Sequence, residues 1–166
     1  MRSVFSALLT ATVLTSCASL GDSGLIPGIA TGADVIAKFG QPVDRVVNPD
    51  GASVLYYPRG PLGRTSYAAV IDANGKLQAI EQRLTDENIA KIKPGWTARQ
   101  VRELLGPSLI HTRLTWRPTE VWEYKLPVEP THYVLWVQFS ADGTVREVAK
   151  VTDPEWEMGK GGDSHR

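Results

Sequence analysis

Thr31-Gly-Ala-Asp-Val-Ile-Ala-Lys-Phe-Gly40 aligns without a gap on Thr97-Ala-Arg-Gln-Val-Arg-Glu-Leu-Leu-Gly106. The agreement is physical as well as literal. Each segment opens on Thr, whose hydroxyl accepts from backbone N–H groups left unpaired at a helix start. Gln100 stands three residues after Thr97 and completes a capping box with it. Val35, Ile36 and Phe39 recur at helical spacing, as do Val101, Leu104 and Leu105. Gly40 and Gly106 stand where a chain leaving a helix takes positive φ. Pro42 and Pro107 follow and prevent continuation. One helix-forming unit is therefore written twice.

Strand patterns follow each copy. After Gly40, residues 44–47 and 52–57 flank Asn48-Pro49-Asp50-Gly51, a turn sequence. Residues 67–71 and 76–83 flank Asp72-Ala73-Asn74-Gly75, a second hairpin. After Gly106, residues 109–116 and 120–126 flank Arg117-Pro118-Thr119. Residues 133–139 and 144–151 flank Ser140-Ala141-Asp142-Gly143. A short helix is expected over 85–92, capped by Thr85, favoured by Asp86 and Glu87 at its positive end, and ended by Lys93-Pro94-Gly95. The fold class is α+β: two tandem repeats, each a helix packed on one face of a four-stranded antiparallel sheet. The first spans 29–83 and the second 84–152.

The N-terminus reads as an export signal over 1–16. Arg2 is basic, Val4 to Leu14 is apolar apart from Ser and Thr, and Leu14-Thr15-Ser16-Cys17 closes it. The apolar run is too short to cross a bilayer, which takes about 20 residues. The closing tetrad resembles the lipobox of bacterial lipoproteins. That resemblance implies cleavage before Cys17 and lipidation of that residue. With Ala18 next, the sorting pattern implies the outer membrane, on its periplasmic face. Cys17 is the one cysteine in the chain, so no internal disulfide can form. Residues 17–28 read as a flexible tether and 153–166 as a disordered tail.

Lys93-Pro94-Gly95-Trp96-Thr97, Val101 and Leu104-Leu105-Gly106-Pro107 resemble the Pro-Gly-Met-Thr…Val…Leu-Gly-x-Pro signature of the SmpA/OmlA, or BamE-like, outer-membrane lipoproteins. Trp96 stands where the family has Met. The tandem layout resembles the β-lactamase inhibitory protein fold, in which two such repeats bind an enzyme. These resemblances imply a non-enzymatic protein-interaction module in outer-membrane or envelope assembly. The alternative they imply is an inhibitor or regulator of a periplasmic hydrolase. The expected partners are the membrane, through the lipid, and an envelope or outer-membrane protein.

Composition and motifs bear on the other function classes. Eighteen basic residues balance eighteen acidic ones, so no electrostatic footprint for nucleic acid is present. No phosphate-binding loop and no Gly-x-Ser-x-Gly elbow occurs. Neither a cofactor nor a small-molecule substrate is expected. Of the three His, His111 and His132 fall near neighbouring strands, and with Glu123 they form the nearest approach to a metal or acid–base set.

Alternation sorts the aromatic residues of the second sheet. Trp122, Tyr124 and Leu126 share one side of their strand; Tyr133, Leu135, Val137 and Phe139 share one side of theirs. Both rows are expected under the helices. His132 and Trp136 then point the other way, and His111, Arg113, Glu123 and Lys125 are grouped with them. A Trp among Arg, His and acidic neighbours fits a binding surface. Solvent contact, or packing against the first unit, fits it too. A second candidate is the loop 58–64, from which Arg59 and Arg64 project with Leu62.

Overall fold

A computed structural model describes residues 24–114, 119–127 and 131–156. The export signal, Cys17, the last two residues of the expected strand 109–116, Arg117 and Pro118 of the turn after it, and positions 157–166 lie outside the described residues. Each repeat folds as a unit. In the first, α1 (Gly32–Phe39) precedes β1 (Asp44–Val47), β2 (Ser53–Arg59), β3 (Thr65–Ile71) and β4 (Leu77–Gln82). In the second, α2 (Asp86–Ile89) and α3 (Ala98–Leu105) precede β5 (Ile110–Leu114), β6 (Thr119–Lys125), β7 (Tyr133–Phe139) and β8 (Val145–Thr152). The two sheets are separate, in the orders β1-β2-β3-β4 and β5-β6-β7-β8, all neighbours antiparallel.

Helix entry and exit follow from the repeated residues. The Thr97 hydroxyl accepts from Gln100 N, and the Gln100 side chain returns the bond to Thr97 N at 2.8 Å. Thr31 does the same with Asp34, whose carboxylate accepts from Thr31 N at 2.8 Å. The two exits match as well, Gly40 at φ 82° and Gly106 at φ 86°. Each helix lays its apolar stripe on its own sheet. Val35 meets Leu55, Tyr57, Ala69, Ile71 and Leu77 in one core. Val101 and Leu105 meet Tyr124, Leu135, Val137 and Phe139 in the other. Trp122 and Tyr133 pack against that second core, so the expected aromatic rows lie under the helices.

A further correspondence is invisible in the sequence. The segment leading into each helix lies along the edge of its last strand. Gly28 N donates to Leu77 O and Leu77 N to Ala30 O, at 2.7 and 2.8 Å. In the second unit Gly95 N donates to Val145 O and Val145 N to Trp96 O, at 2.8 and 2.7 Å. Leu25 also packs on the first core, so residues 25–28 belong to the fold rather than to a tether. The other end is corrected in the same way. Asp153 is buried and donates its N–H to His132 O, and Trp156 N returns to Asp153 O. Residues 153–156 therefore close the fold rather than begin a tail.

The units meet through the side of the first sheet that faces away from α1. Tyr56 and Ala68 are fully buried there, although they belong to neither apolar cluster. The Tyr56 hydroxyl donates to Glu103 O in α3 at 2.7 Å. Arg102 reaches back with Nε and Nη2 to the Asp44 carboxylate, the Nε contact measuring 2.6 Å.

Candidate interaction site

Residues directly opposite one another on adjacent strands share a face of the sheet. In the second sheet His111 lies opposite Trp122, and Arg113 opposite Glu120. Trp122 belongs to the helix side, so His111 and Arg113 do too. This corrects the expected grouping. Ile110, Glu123, Trp136 and Ala149 make the row on the opposite face. The expected single patch is thus two, one on each face.

On the face away from α3, the charged residues turn inward to one another. Lys125 is buried, yet Nζ finds Asp153 Oδ1 at 3.0 Å, Glu123 Oε1 at 3.0 Å and Glu155 Oε2 at 3.1 Å. The Trp136 indole N–H donates to Glu123 Oε2 at 2.7 Å. Burial opposes the charge on Lys125, but hydrogen bonds to Asp153, Glu123 and Glu155 outweigh it and hold the ammonium above the ordinary lysine range. Burial likewise pushes Asp153 up, and hydrogen bonds from Lys125, the Glu155 N–H and Arg64 bring it below the ordinary carboxylate range.

Arg64 belongs to this network. It donates from Nη1 to Leu126 O at 3.1 Å and from Nη2 to Asp153 Oδ2 at 3.2 Å. Arg59 is also engaged by its own unit: Nη2 donates to Phe39 O at 3.0 Å, and its guanidinium lies 5.8 and 5.6 Å from the Phe39 and Tyr57 rings. Neither arginine projects as a loop tip; Leu62, 51 % exposed, is the loop residue that does. His132 stacks on Trp156, with ring centroids 5.2 Å apart and planes 11° apart. His111, His132 and Glu123 do not converge, and no group of three His, Cys, Asp or Glu suited to a metal occurs among the described residues.

The helix side holds the other half of the expected set, now with Glu120 at its centre. His111 stacks on Trp122 at 4.9 Å with planes 17° apart, and Trp122 tilts against Phe139 at 4.8 Å. Glu120 accepts from the Trp122 indole N–H at 2.7 Å and lies 3.4 Å from His111 Nδ1. Arg113 stands 3.8 Å from the same carboxylate with its side chain 81 % exposed. Arg113, Glu120, Trp122 and Phe139 line an open cleft of about 310 Å³, together with Ala98 and Gly143. A lining of aromatic and charged residues suits a side chain of a protein partner. Glu120 escaped the sequence reading because its role depends on the pairing of β5 with β6.

Residues 82–149 match the family described as outer membrane protein assembly factor BamE domain. The second unit is similar to that domain. The match covers α2, α3 and most of the second sheet, and so includes Glu120 and its neighbours in full, and Lys125, Glu123 and Trp136 but not Arg64, Asp153 or Glu155 of the opposite face. No curated protein matches the chain. Among solved structures, an osmotically inducible lipoprotein, OsmE, is 16 % identical, with 51 % of this chain and 92 % of that one covered at a TM-score of 0.37. A putative β-lactamase inhibitor protein from Streptococcus mutans is 12 % identical, with 74 % and 82 % covered at 0.34. A DUF4309 family protein, YjgB, from Bacillus subtilis is 18 % identical, with 78 % and 83 % covered at 0.30.

Proposed function

We propose that this chain is an outer-membrane lipoprotein, anchored through Cys17 with its fold in the periplasm, that works by binding proteins in outer-membrane assembly. The observation that carries the reading is the BamE domain match over residues 82–149. The lipobox-like Leu14-Thr15-Ser16-Cys17 supports the anchor. Three acyl chains, at about 0.8 kcal/mol per buried methylene, make such an anchor effectively permanent. The exposed Arg113 and the aromatic-lined cleft beside it support action by binding rather than by catalysis.

The test uses the intact protein in its own envelope. Metabolic labelling with an alkynyl fatty acid should mark the wild type and leave Cys17→Ser unlabelled. Capture from mild detergent should then bring down components of the β-barrel assembly machinery, identified by mass spectrometry. Lipidated protein that sediments with the outer membrane and captures none of them would refute the assembly role.

A further inference from the structure

The second sheet has one edge that is covered and one that is not. At β8, Gly95 and Trp96 bond to Val145. At β5, among the described residues, no backbone group bonds to the N–H or C=O of His111 or Arg113, and the register shows that these groups point away from β6. Leu126 N donates to Tyr133 O, so even-numbered residues of β6 bond β7. Odd-numbered residues then face β5, as the bond from Ser108 Oγ to Glu123 O also requires. They meet Ile110, Thr112 and Leu114 in register. His111 and Arg113 thus hold their backbone groups outward, a template for a further strand.

We propose that β5 takes an extended peptide strand from an acidic, aromatic-bearing protein segment as a fifth strand of the sheet, its side chains read by Arg113 and by the His111–Trp122 stack. A strand added antiparallel sets alternate side chains opposite His111 and Arg113, on the face that holds the cleft. An acidic side chain there meets the guanidinium of Arg113, exposed and only 3.8 Å-distant from Glu120. An aromatic one two residues on meets the imidazole of His111, already stacked on Trp122. A second copy of this chain suits the edge less well, because β5 against β5 brings Arg113 and His111 of each copy together. The inference deepens the interaction-module reading by naming the partner's chemistry, and it rests on that reading for its biological setting.

The test is direct binding of acetyl-Thr-Val-Glu-Val-Phe-Val-Thr-amide to the full chain in detergent micelles, followed by calorimetry and tryptophan fluorescence. Antiparallel pairing puts its Glu opposite Arg113 and its Phe opposite His111. His111→Ala and His111→Pro both remove the ring, but only the proline removes the outward N–H, at an edge position that tolerates it. His111→Pro is expected to bind about tenfold more weakly than His111→Ala, the effect of one lost backbone bond at a desolvated contact. The peptide N-methylated at Phe should lose a comparable factor against unaltered protein, so the result does not depend on the proline variant folding. Arg113→Ala should abolish the preference for this peptide over its Glu→Gln version. Absence of wild-type binding at millimolar peptide, equal binding by the two His111 variants with no N-methyl effect, or sedimentation as a β5-paired dimer would each overturn the proposal. Peptide binding without capture of assembly components would instead leave this edge intact and remove the assembly role.

Discussion

Arg64 and Asp153, 89 positions apart in the chain, join at 3.2 Å between Nη2 and Oδ2. The arginine comes from the first unit and the carboxylate from the end of the second. Lys125 shares the same carboxylate through Oδ1 at 3.0 Å. One buried acid therefore balances two cations, and the tandem units are fastened at a point neither of them completes alone.

Asp153→Asn should be among the most damaging single substitutions in the chain. It keeps the size of the side chain and leaves two cations facing a neutral amide. Lys125 retains Glu123 and Glu155, which softens the loss, but its side chain is only 1 % exposed. Breaking a buried pair by removing one partner costs about 3–5 kcal/mol. Urea unfolding should show a midpoint lowered accordingly, and a loss under 1 kcal/mol would mean that the network contributes little.

The same residues set the pH range of stability. Asp153 and Asp44 are held below the ordinary carboxylate value of 3.8, Asp44 first by its hydrogen bond with Arg102. Stability from a lowered acid is complete above its unfolded value and is lost as pH falls through the folded one. Lys125 is raised above 10.5, so its share is complete below that value and is lost only as pH climbs beyond it. Thermal melts should therefore be flat from about pH 5 to 9 with respect to these groups and fall below pH 4. Asp153→Asn should flatten the acid limb.

Gly40 and Gly106 end equivalent helices with nearly the same φ, but they have different neighbours. A Cβ at Gly40 meets nothing within 4 Å. At Gly106 it falls 2.7 Å from Ser66 Oγ and 2.9 Å from Tyr56 Cδ1, both on the first unit. Gly40→Ala should cost about 1–2 kcal/mol, from backbone strain alone. Gly106→Ala adds a clash at the junction of the units and should cost clearly more, by calorimetry, than its twin. Equal costs would show that the junction yields freely.

These contacts also mark what the sequence discloses. Thr97, Gln100 and Gly106 announce a helix because capping is local: donors, acceptors and the positive-φ exit lie within ten residues. The Asp34 half of the first capping box is less legible, because an acid one carbon shorter than Glu stands at that position. The aromatic rows of β6 and β7 were legible because alternation fixes them within each strand. The faces of His111 and Arg113 were not. Alternation gives each strand's two sides but not which side faces the core, and a shift of one residue in the pairing exchanges them. Arg64 and Lys125 read as surface charges for a related reason: their shared partner is Asp153, far away in sequence, and only the packing of one unit on the other brings it near.

Tyr56 and Tyr57 are adjacent, both buried, and point to opposite faces of β2. Burial pushes the Tyr56 hydroxyl up to about 12, so it remains a donor throughout the neutral range, and it donates to Glu103 O at 2.7 Å. The Tyr57 hydroxyl is buried with no hydrogen-bond partner among the described residues. Tyr56→Phe removes a bond between the units and strands a carbonyl, at a cost of about 1–2 kcal/mol. Tyr57→Phe removes an unsatisfied group and leaves the ring packed at 5.7 Å from Phe39, so stability should hold or rise slightly. Paired denaturation curves decide the matter. A Tyr57→Phe loss as large as that of Tyr56→Phe would place an unrecognised partner on the Tyr57 oxygen.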